Sequence, residues 1–299
     1  MTQATSLRSG PCGFVVIDKP SGFTSHDCVA RARRLLGTRR IGHGGTLDPA
    51  VTGVLPLAVG PATRLLPYLD GTKAYSGTIQ LGVRTSSDDT SGSVLSQHTL
   101  PQLSRSELEQ ALTPFLGSIS QRPPSVSAVH VDGERAHVRA RRGETLELPP
   151  RTVEIHSLTL THWDPGNGQL QLELQCSAGT YVRALARDLG DALGCGGALA
   201  SLRRTLALGF RLEHCQPLEA LSADTVLMDP LQVLGHLPQQ QLEPEQWLAW
   251  TRGQRLPLQP PLEPDQPLVM VRPEGGLAGM ARSRSDGLLQ PKLVLDAAG

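Results

Sequence analysis

Residues 42–53, GHGGTLDPAVTG, combine glycines, one histidine and a single carboxylate in a stretch with neither helical nor strand period. An aspartate beside Gly and Pro most often bonds its own backbone in a turn. Pro49, however, biases Asp48 toward an extended backbone, and the glycines permit close approach by other groups. Asp48 is therefore also a candidate for display, as a carboxylate available for chemistry rather than tucked into a cap. A second residue bears on this choice. Arg183 falls in the first turn of an expected helix, where a cation is disfavoured by about 0.3–1 kcal/mol. An arginine there is more easily understood with an anion facing it, and Asp48 is a candidate anion.

Several elements must position these residues. GFVVIDKPSG (13–22) reads as a short buried strand running into a turn, and TSHDCVARARRLLG (24–37) as a helix capped by Thr24 or Ser25. Val29, Ala32 and Leu36 share one face of that helix, and Gly37 suits its stop. VLPLAVGPATRLLPYL (54–69) gives an apolar strand or turn and then a short helix. AYSGTIQLGVRTSSDDTSG (74–92) gives an alternating strand and a polar turn. SRSELEQALTPFLG (104–117) carries a capping box at Ser104 and Glu107 and an apolar face at Leu108, Leu112 and Phe115. QLQLELQCSAGTYVRALARDLGDALG (169–194) predicts a period-two strand ending at Cys176, a tight turn, and a helix capped by Thr180. Residues 216–245 look like a connection between domains, and the short strands beyond have the composition of a small β barrel.

Net charge is zero, but its distribution is uneven. Residues 1–84 hold ten Lys or Arg against four Asp or Glu, whereas residues 85–240 hold twelve against seventeen. Arg31, Arg33, Arg34, Arg39 and Arg40 crowd the outer side and exit of the first helix, which is either a solvated face or a polyanion contact. Arg122, Arg135, Arg139, Arg141, Arg142 and Arg151 lie in a poorly periodic stretch that reads as an inserted arm or as an ordinary surface hairpin. No apolar run approaches the ~20 residues needed to span a bilayer, and MTQATSLRSGP lacks an apolar signal core, so a cytoplasmic protein is expected. Five scattered cysteines without a C-x-x-C pair predict free thiols and no zinc.

Taken in order, DKPSGFTSHDCV, GHGGTLDPAVTGVLPLAVGPATRLLPYL, KAY, LGVRTSSDDTSG, the PPS-x-SA turn and SAGTYVRALARDLG resemble the bacterial tRNA pseudouridine synthase B family, through most of residues 13–204. The tail after about residue 243 is similar to a PUA domain. The resemblance implies an α+β fold: a tail over 1–12, and a catalytic domain over 13–235 with a mixed, mostly antiparallel sheet. An RNA-gripping arm is inserted at about 118–152, and a PUA-like barrel follows over 243–299. It implies an isomerase that detaches a uracil in the T loop of tRNA, turns it and rejoins it through carbon 5, after flipping the uridine out. No cofactor or metal is implied, because the glycosidic bond is broken and remade without redox change.

Within that resemblance Asp48 is the nucleophile, Tyr75 stacks on the uracil and moves a proton, and Arg183 pairs with the aspartate. Tyr181 and Leu202 line the uracil pocket, His43 contacts RNA and fills the space the base leaves, and Lys19 and Pro20 support the site. Arg33, Arg34, Arg39, Arg40 and Arg141 are expected along the RNA backbone. From the residues alone, Tyr75 and Leu202 read as core and His43 as a solvated loop residue. Val126, His130 and His137 depart from the family pattern, where tyrosine, lysine and tyrosine are common, which bears on how the arm grips tRNA. The expected partner is the T stem-loop of tRNA, with no membrane, no obligate protein partner and a monomeric state. Two rival roles share the fold: an RNA-binding helper of tRNA folding, and an rRNA pseudouridine synthase dependent on partner proteins.

Overall fold

Alternation decides where the cores lie. The structure is a computed structural model that describes residues 10–127, 130–131, 134–135, 142, 148–259 and 261–295. Its main sheet has ten strands: β1 (Gly13–Lys19), β2 (Ile41–His43), β3 (Thr52–Val59), β4 (Lys73–Leu81), β5 (Gly117–Gln121), β6 (Arg151–Asp164), β7 (Gln169–Cys176), β8 (Gly197–Ala207), β9 (Phe210–Arg211) and β10 (Cys215–Pro217). The order is β10-β1-β3-β8-β4-β7-β6-β5, with β2 on β3 and β9 on β8. Only β1–β10 and β3–β8 pair in parallel, so the sheet is mixed and mostly antiparallel, as expected.

QLQLELQC in β7 alternates exposed and buried without exception. Its buried Leu170, Leu172 and Leu174 join Ile79 and Leu81 of β4 against helices α2 (Arg105–Leu112) and α3 (Val182–Ala192). β1 and β3 are instead apolar almost throughout, because both their faces are covered. Val15, Ile17, Leu55 and Leu57 pack with helix α1 (Ser25–Leu35). Phe14, Val16, Val54 and Ala58 face Val269, Leu277, Met280 and Leu293 of a second sheet. That sheet comprises β11 (Gln239–Gln241), β12 (Leu256–Pro257), β13 (Pro267–Val271), β14 (Leu277–Ser283) and β15 (Leu288–Val294), ordered β11-β13-β14-β15-β12. It is a curled half-barrel, its open side occupied by helix α4 (Pro244–Thr251), whose buried Trp250 donates to the Ala278 carbonyl at 3.1 Å.

Three local expectations change. The helix expected after β3 is two 3-10 turns, Gly60–Arg64 and Leu66–Tyr68, because Pro67 lacks the N–H that a continuing α ladder would need. Residues 216–245 are not a free connection: β10 pairs in parallel with β1, and Leu218, Leu221 and Leu234 are buried. The ends of stretch 118–152 belong to the sheet through β5 and β6, and between them His130–Val131 and Glu134–Arg135 form a two-stranded ladder. Arg141 and His137 lie outside the described residues. No helix among the described residues is long and apolar enough to cross a membrane.

The packing of α3 on β8 is unusually close at one glycine. A Cβ on Gly190 would overlap the backbone of Gly196 and Gly197. Gly→Ala in a helix interior ordinarily gains about 1 kcal/mol. Here the sign should reverse: Gly190→Ala is expected to lose about 1–3 kcal/mol through overpacking, read as a lower urea midpoint. An unchanged or raised midpoint would refute this packing.

Candidate active site

Asp48 does serve a turn, but with its backbone: its carbonyl accepts from Val51 N at 3.0 Å. The carboxylate is left free to point elsewhere. It meets Arg183, whose Nε stands 2.9 Å from Oδ2. The pair is lopsided, with the aspartate side chain 46% exposed and the arginine 7%. One partner is open to an incoming group while the other is fixed behind it.

Both chain neighbours of Asp48 are tied down. Leu47 N donates to the buried Ser25 hydroxyl at 2.8 Å, and that hydroxyl donates to Leu47 O at 3.3 Å. Thr24 caps α1 through Asp27 N, which leaves Ser25 for the loop. On the other side Pro49 O accepts from Gly22 N at 2.8 Å and from Lys19 Nζ at 3.1 Å. Lys19 is fully buried and also donates to Pro20 O and Phe23 O, and burial lowers its pKa. The loop then leaves along β3 at Gly53, where a positive φ of 102° and the absence of a Cβ let it run against the Arg204 backbone.

Arg183 is held as firmly. Its Nη1 donates to Ser87 O at 2.8 Å, its Nη2 to Val126 O at 2.9 Å, and Asp89 stands 3.8 Å from Nε. One helical turn on, Arg187 Nη1 pairs with Asp88 at 2.9 Å, so two arginines of α3 grip one polar turn. The helix start itself differs from expectation. Thr180 does not cap it; its hydroxyl donates to Ser177 O, and the N-cap position is Tyr181, without a side-chain cap. Buried Gln121 from β5 takes over, accepting from Tyr181 N at 2.8 Å and donating to Tyr181 O at 3.1 Å.

These segments enclose a cavity of about 210 Å³. Leu47, Val51, Val182, Leu199 and Leu202 give it apolar walls, and Asp48, Tyr75, Lys73 and Arg183 bring its polar groups. Tyr75 projects from β4, 6% exposed, and belongs both to a core cluster and to the lining of the cavity. Burial pushes its phenol pKa up, and Arg204 beside it pulls it back. Tyr181 lines the cavity with Arg151 over its ring, 5.6 Å from the centroid. A flat group between apolar walls would lie against one open carboxylate and one phenol, a set suited to nucleophilic attack and proton transfer.

Other expected residues lie elsewhere. His43 is not part of the cavity lining; it stands edge-on to His26 with ring centroids 5.9 Å apart, and burial lowers its pKa. Lys19 and Pro20 act from behind the loop. Arg33, Arg34, Arg39 and Arg40 are exposed on and after α1 and form no ion pair among the described residues. Asp89, Gln121 and Arg204 were not singled out from the sequence, and Ser25 was named only as an alternative cap for the first helix, not as a partner of the loop. Of the three, only Asp89 carried a signal, as half of the Asp-Asp pair in TSSDDTSG.

Comparison with known proteins identifies the family. Residues 33–182 match the TruB family pseudouridylate synthase N-terminal domain, 183–233 the tRNA pseudouridylate synthase B C-terminal domain, and 238–295 the pseudouridine synthase II TruB C-terminal domain. A tRNA pseudouridine synthase B of Parasynechococcus marenigrum (strain WH8102) is 60% identical over 97% of this chain and 99% of its own. One from Prochlorococcus marinus (strain MIT 9313) is 50% identical over 97% and 99%. Among solved structures, an H/ACA ribonucleoprotein bound to a substrate RNA containing 2'-deoxyuridine aligns with a TM-score of 0.71 at 22% identity, covering 94% of this chain and 84% of that one, a likeness of fold. The chain belongs to the TruB pseudouridine synthase family.

Lys19 offers a test of how the loop is held. Lys19→Met would strip a buried donor from three carbonyls while keeping the aliphatic volume. A loss of about 1–3 kcal/mol in urea unfolding is expected for the acceptors left unpaired, and wild-type stability would show that the loop does not depend on this side chain.

Proposed function

We propose that this protein converts a uridine in the T loop of tRNA to pseudouridine, with Asp48 as the nucleophile. The observation that carries the reading is the open carboxylate of Asp48, backed by buried Arg183 at 2.9 Å inside a slot with apolar walls. The target base must leave the folded loop to reach it. Once there, the N1–C1' bond breaks, the base turns, and C5–C1' forms. Carbon 5 loses a proton and N1 gains one, so atoms and charge balance without a cofactor. Asp48 holds the detached fragment by attack on sugar or base, and both routes satisfy this balance. Tyr75 is the group placed to stack on the ring and move the proton. Arg183 keeps Asp48 pointed at the slot.

Further proposals follow for binding. The exposed arginines on and after α1 contact the phosphate backbone, and the tRNA is handled by a monomer without an obligate protein partner, in the cytoplasm. Names carried by relatives at 50% and 60% identity support the tRNA substrate.

The direct test incubates the protein with unmodified tRNA and maps pseudouridine by position; product outside the T loop would overturn the substrate. Asp48→Asn should bind tRNA nearly normally and yield no product, since the amide keeps the shape but is no nucleophile. Activity within a few-fold of wild type would return Asp48 to the role of a turn residue. Tyr75→Phe should slow single-turnover conversion by about 10²–10⁴-fold, the usual range for a lost proton-transfer group; normal turnover would make Tyr75 a packing residue.

Arg183→Met should depress turnover of bound tRNA while leaving the salt dependence of binding almost unchanged. Arg33 and Arg34 variants should do the reverse, each flattening the slope of log K against log salt by about one unit. An Arg183 variant that binds weakly with a flattened slope, yet reacts normally when saturated, would make it a phosphate contact.

A further inference from the structure

Arg204 of β8 is fully buried and stands directly opposite Tyr75 of β4 in the antiparallel register. Burying a guanidinium is costly unless its donors are used. No carboxylate pairs with it among the described residues. Two of its nitrogens serve the nucleophile loop instead: Nε donates to Val54 O at 2.8 Å and Nη2 to Gly45 O at 3.1 Å. Those carbonyls lie on either side of Asp48, so one side chain spans the mouth of the loop.

The third nitrogen, Nη1, is buried and makes no well-aligned hydrogen bond among the described residues. Direct opposition in the antiparallel register puts the Arg204 and Tyr75 side chains on the same face of the sheet as neighbours, and the cation opposes the rise that burial gives the phenol pKa. Nearby, a Cβ on Gly45 would sit 3.5 Å from both Arg204 Nη1 and Lys73 Nζ, which places a second cation beside the first. Two neighbouring cations with no paired acid among the described residues favour a negative charge beside them, and Tyr75, the register partner of Arg204, has the phenol that can carry it.

We infer that Arg204 is a positioning residue of the reaction: it pins the loop of Asp48 with two nitrogens and turns the third toward the Tyr75 oxygen, holding that oxygen as the acceptor of the proton from carbon 5. The inference rests on reading the chain as a pseudouridine synthase with Tyr75 as its proton-transfer group. In this step Tyr75 acts as phenolate. The C5–H bond breaks, its proton goes to the phenolate oxygen, and its electron pair returns to the ring, whose N1 takes a proton from solvent; Tyr75 then releases the proton it holds to solvent, so the enzyme ends as it began.

The groups facing the phenol are Arg204 from β8, Cys176 from the end of β7 and Asp48 from the loop, while Lys73 of β4 and Arg183 of α3 line the same cavity. Burial pushes the phenol up, the thiol and carboxylate push the same way, and Arg204 opposes them. Removing Arg204 should therefore raise the pH at which Tyr75 ionises.

The chain has only three tyrosines, so phenolate absorbance can be titrated on the RNA-free protein and Tyr75 isolated by subtracting Tyr75→Phe. In Arg204→Gln the Tyr75 midpoint should rise by at least one pH unit. Single-turnover conversion of tRNA at neutral pH should fall at least tenfold, with the pH–rate profile displaced upward. A folded Arg204→Gln protein with an unmoved midpoint overturns the inference. Should that variant not fold, the wild-type protein decides: the ¹³Cζ resonance of Arg204 should move at the Tyr75 midpoint, and a resonance indifferent to Tyr75 ionisation overturns the inference equally. Both titrations are made without RNA, so they are separate from the functional reading, which fails only if the wild-type protein forms no pseudouridine in tRNA.

Discussion

The contact between Asp48 and Arg183 joins a glycine loop to the first turn of a helix from far along the chain, and neither end holds it unaided. An arginine 7% exposed has lost most of its hydration, and the half-exposed aspartate compensates only part of that cost. The remaining donors must be met, which accounts for the turn at Ser87–Asp89 and the Val126 carbonyl closing around the same guanidinium. Much of the molecule between β4 and α3 can be understood as what this one buried cation requires.

A second constraint is visible in what the supporting cations bond to. Lys19 and Arg204 donate to backbone carbonyls, at Pro20, Phe23, Pro49, Gly45 and Val54, rather than to carboxylates. A carbonyl satisfies a donor without cancelling its charge. Positive charge therefore persists around the cavity, where it favours negative charge on the carboxylate and the phenol that line it. Carboxylate partners would have fixed the same side chains but cancelled that field. The carbonyls themselves cannot titrate, so pH enters the scaffold of the loop only through its donors, and burial already lowers the pKa of Lys19.

This explains which parts were legible in the sequence. Period-two alternation in QLQLELQC and the capping box at Ser104 and Glu107 are local rules, and the elements form where those rules place them. Arg183 was legible as an anomaly, a cation at a helix start, and the anion it implied is Asp48. Thr180 failed as a cap because a buried glutamine from β5, sixty residues away in sequence, already bonds the Tyr181 backbone. Arg204 was invisible for the same kind of reason, and Ser25, legible only as an alternative cap, gave no sign of the loop it holds. A hydroxyl next to a cap and a basic residue in ALASLRR carry no local signature of the distant carbonyls they meet. Side chains that hold backbone are specified by register and packing, which spacing along one segment does not encode. The family resemblance supplied the role of Tyr75, because an aromatic on an alternating strand is core by every local rule, and here it is core as well.

The half-barrel at the C-terminus also reaches the site, through the sheet. β3 carries the loop's exit, and its two faces belong to different cores: Leu55 and Leu57 pack under α1, while Val54 and Ala58 share a cluster with Val269, Leu277, Met280 and Leu293. Val54 is itself the residue whose carbonyl holds Arg204. The half-barrel therefore packs against the strand that fixes one end of the Asp48 loop, and a force applied to the second sheet is transmitted to β3 through close-packed side chains rather than through a flexible tether. The parallel pairing of Cys215–Pro217 with β1 adds a second attachment on the route between the two sheets. A separately tethered RNA-binding module would leave the orientation of its surface relative to Asp48 to the linker. A shared core sets that orientation to within side-chain packing, the precision needed if contacts made far from the slot are to help bring one nucleotide into it.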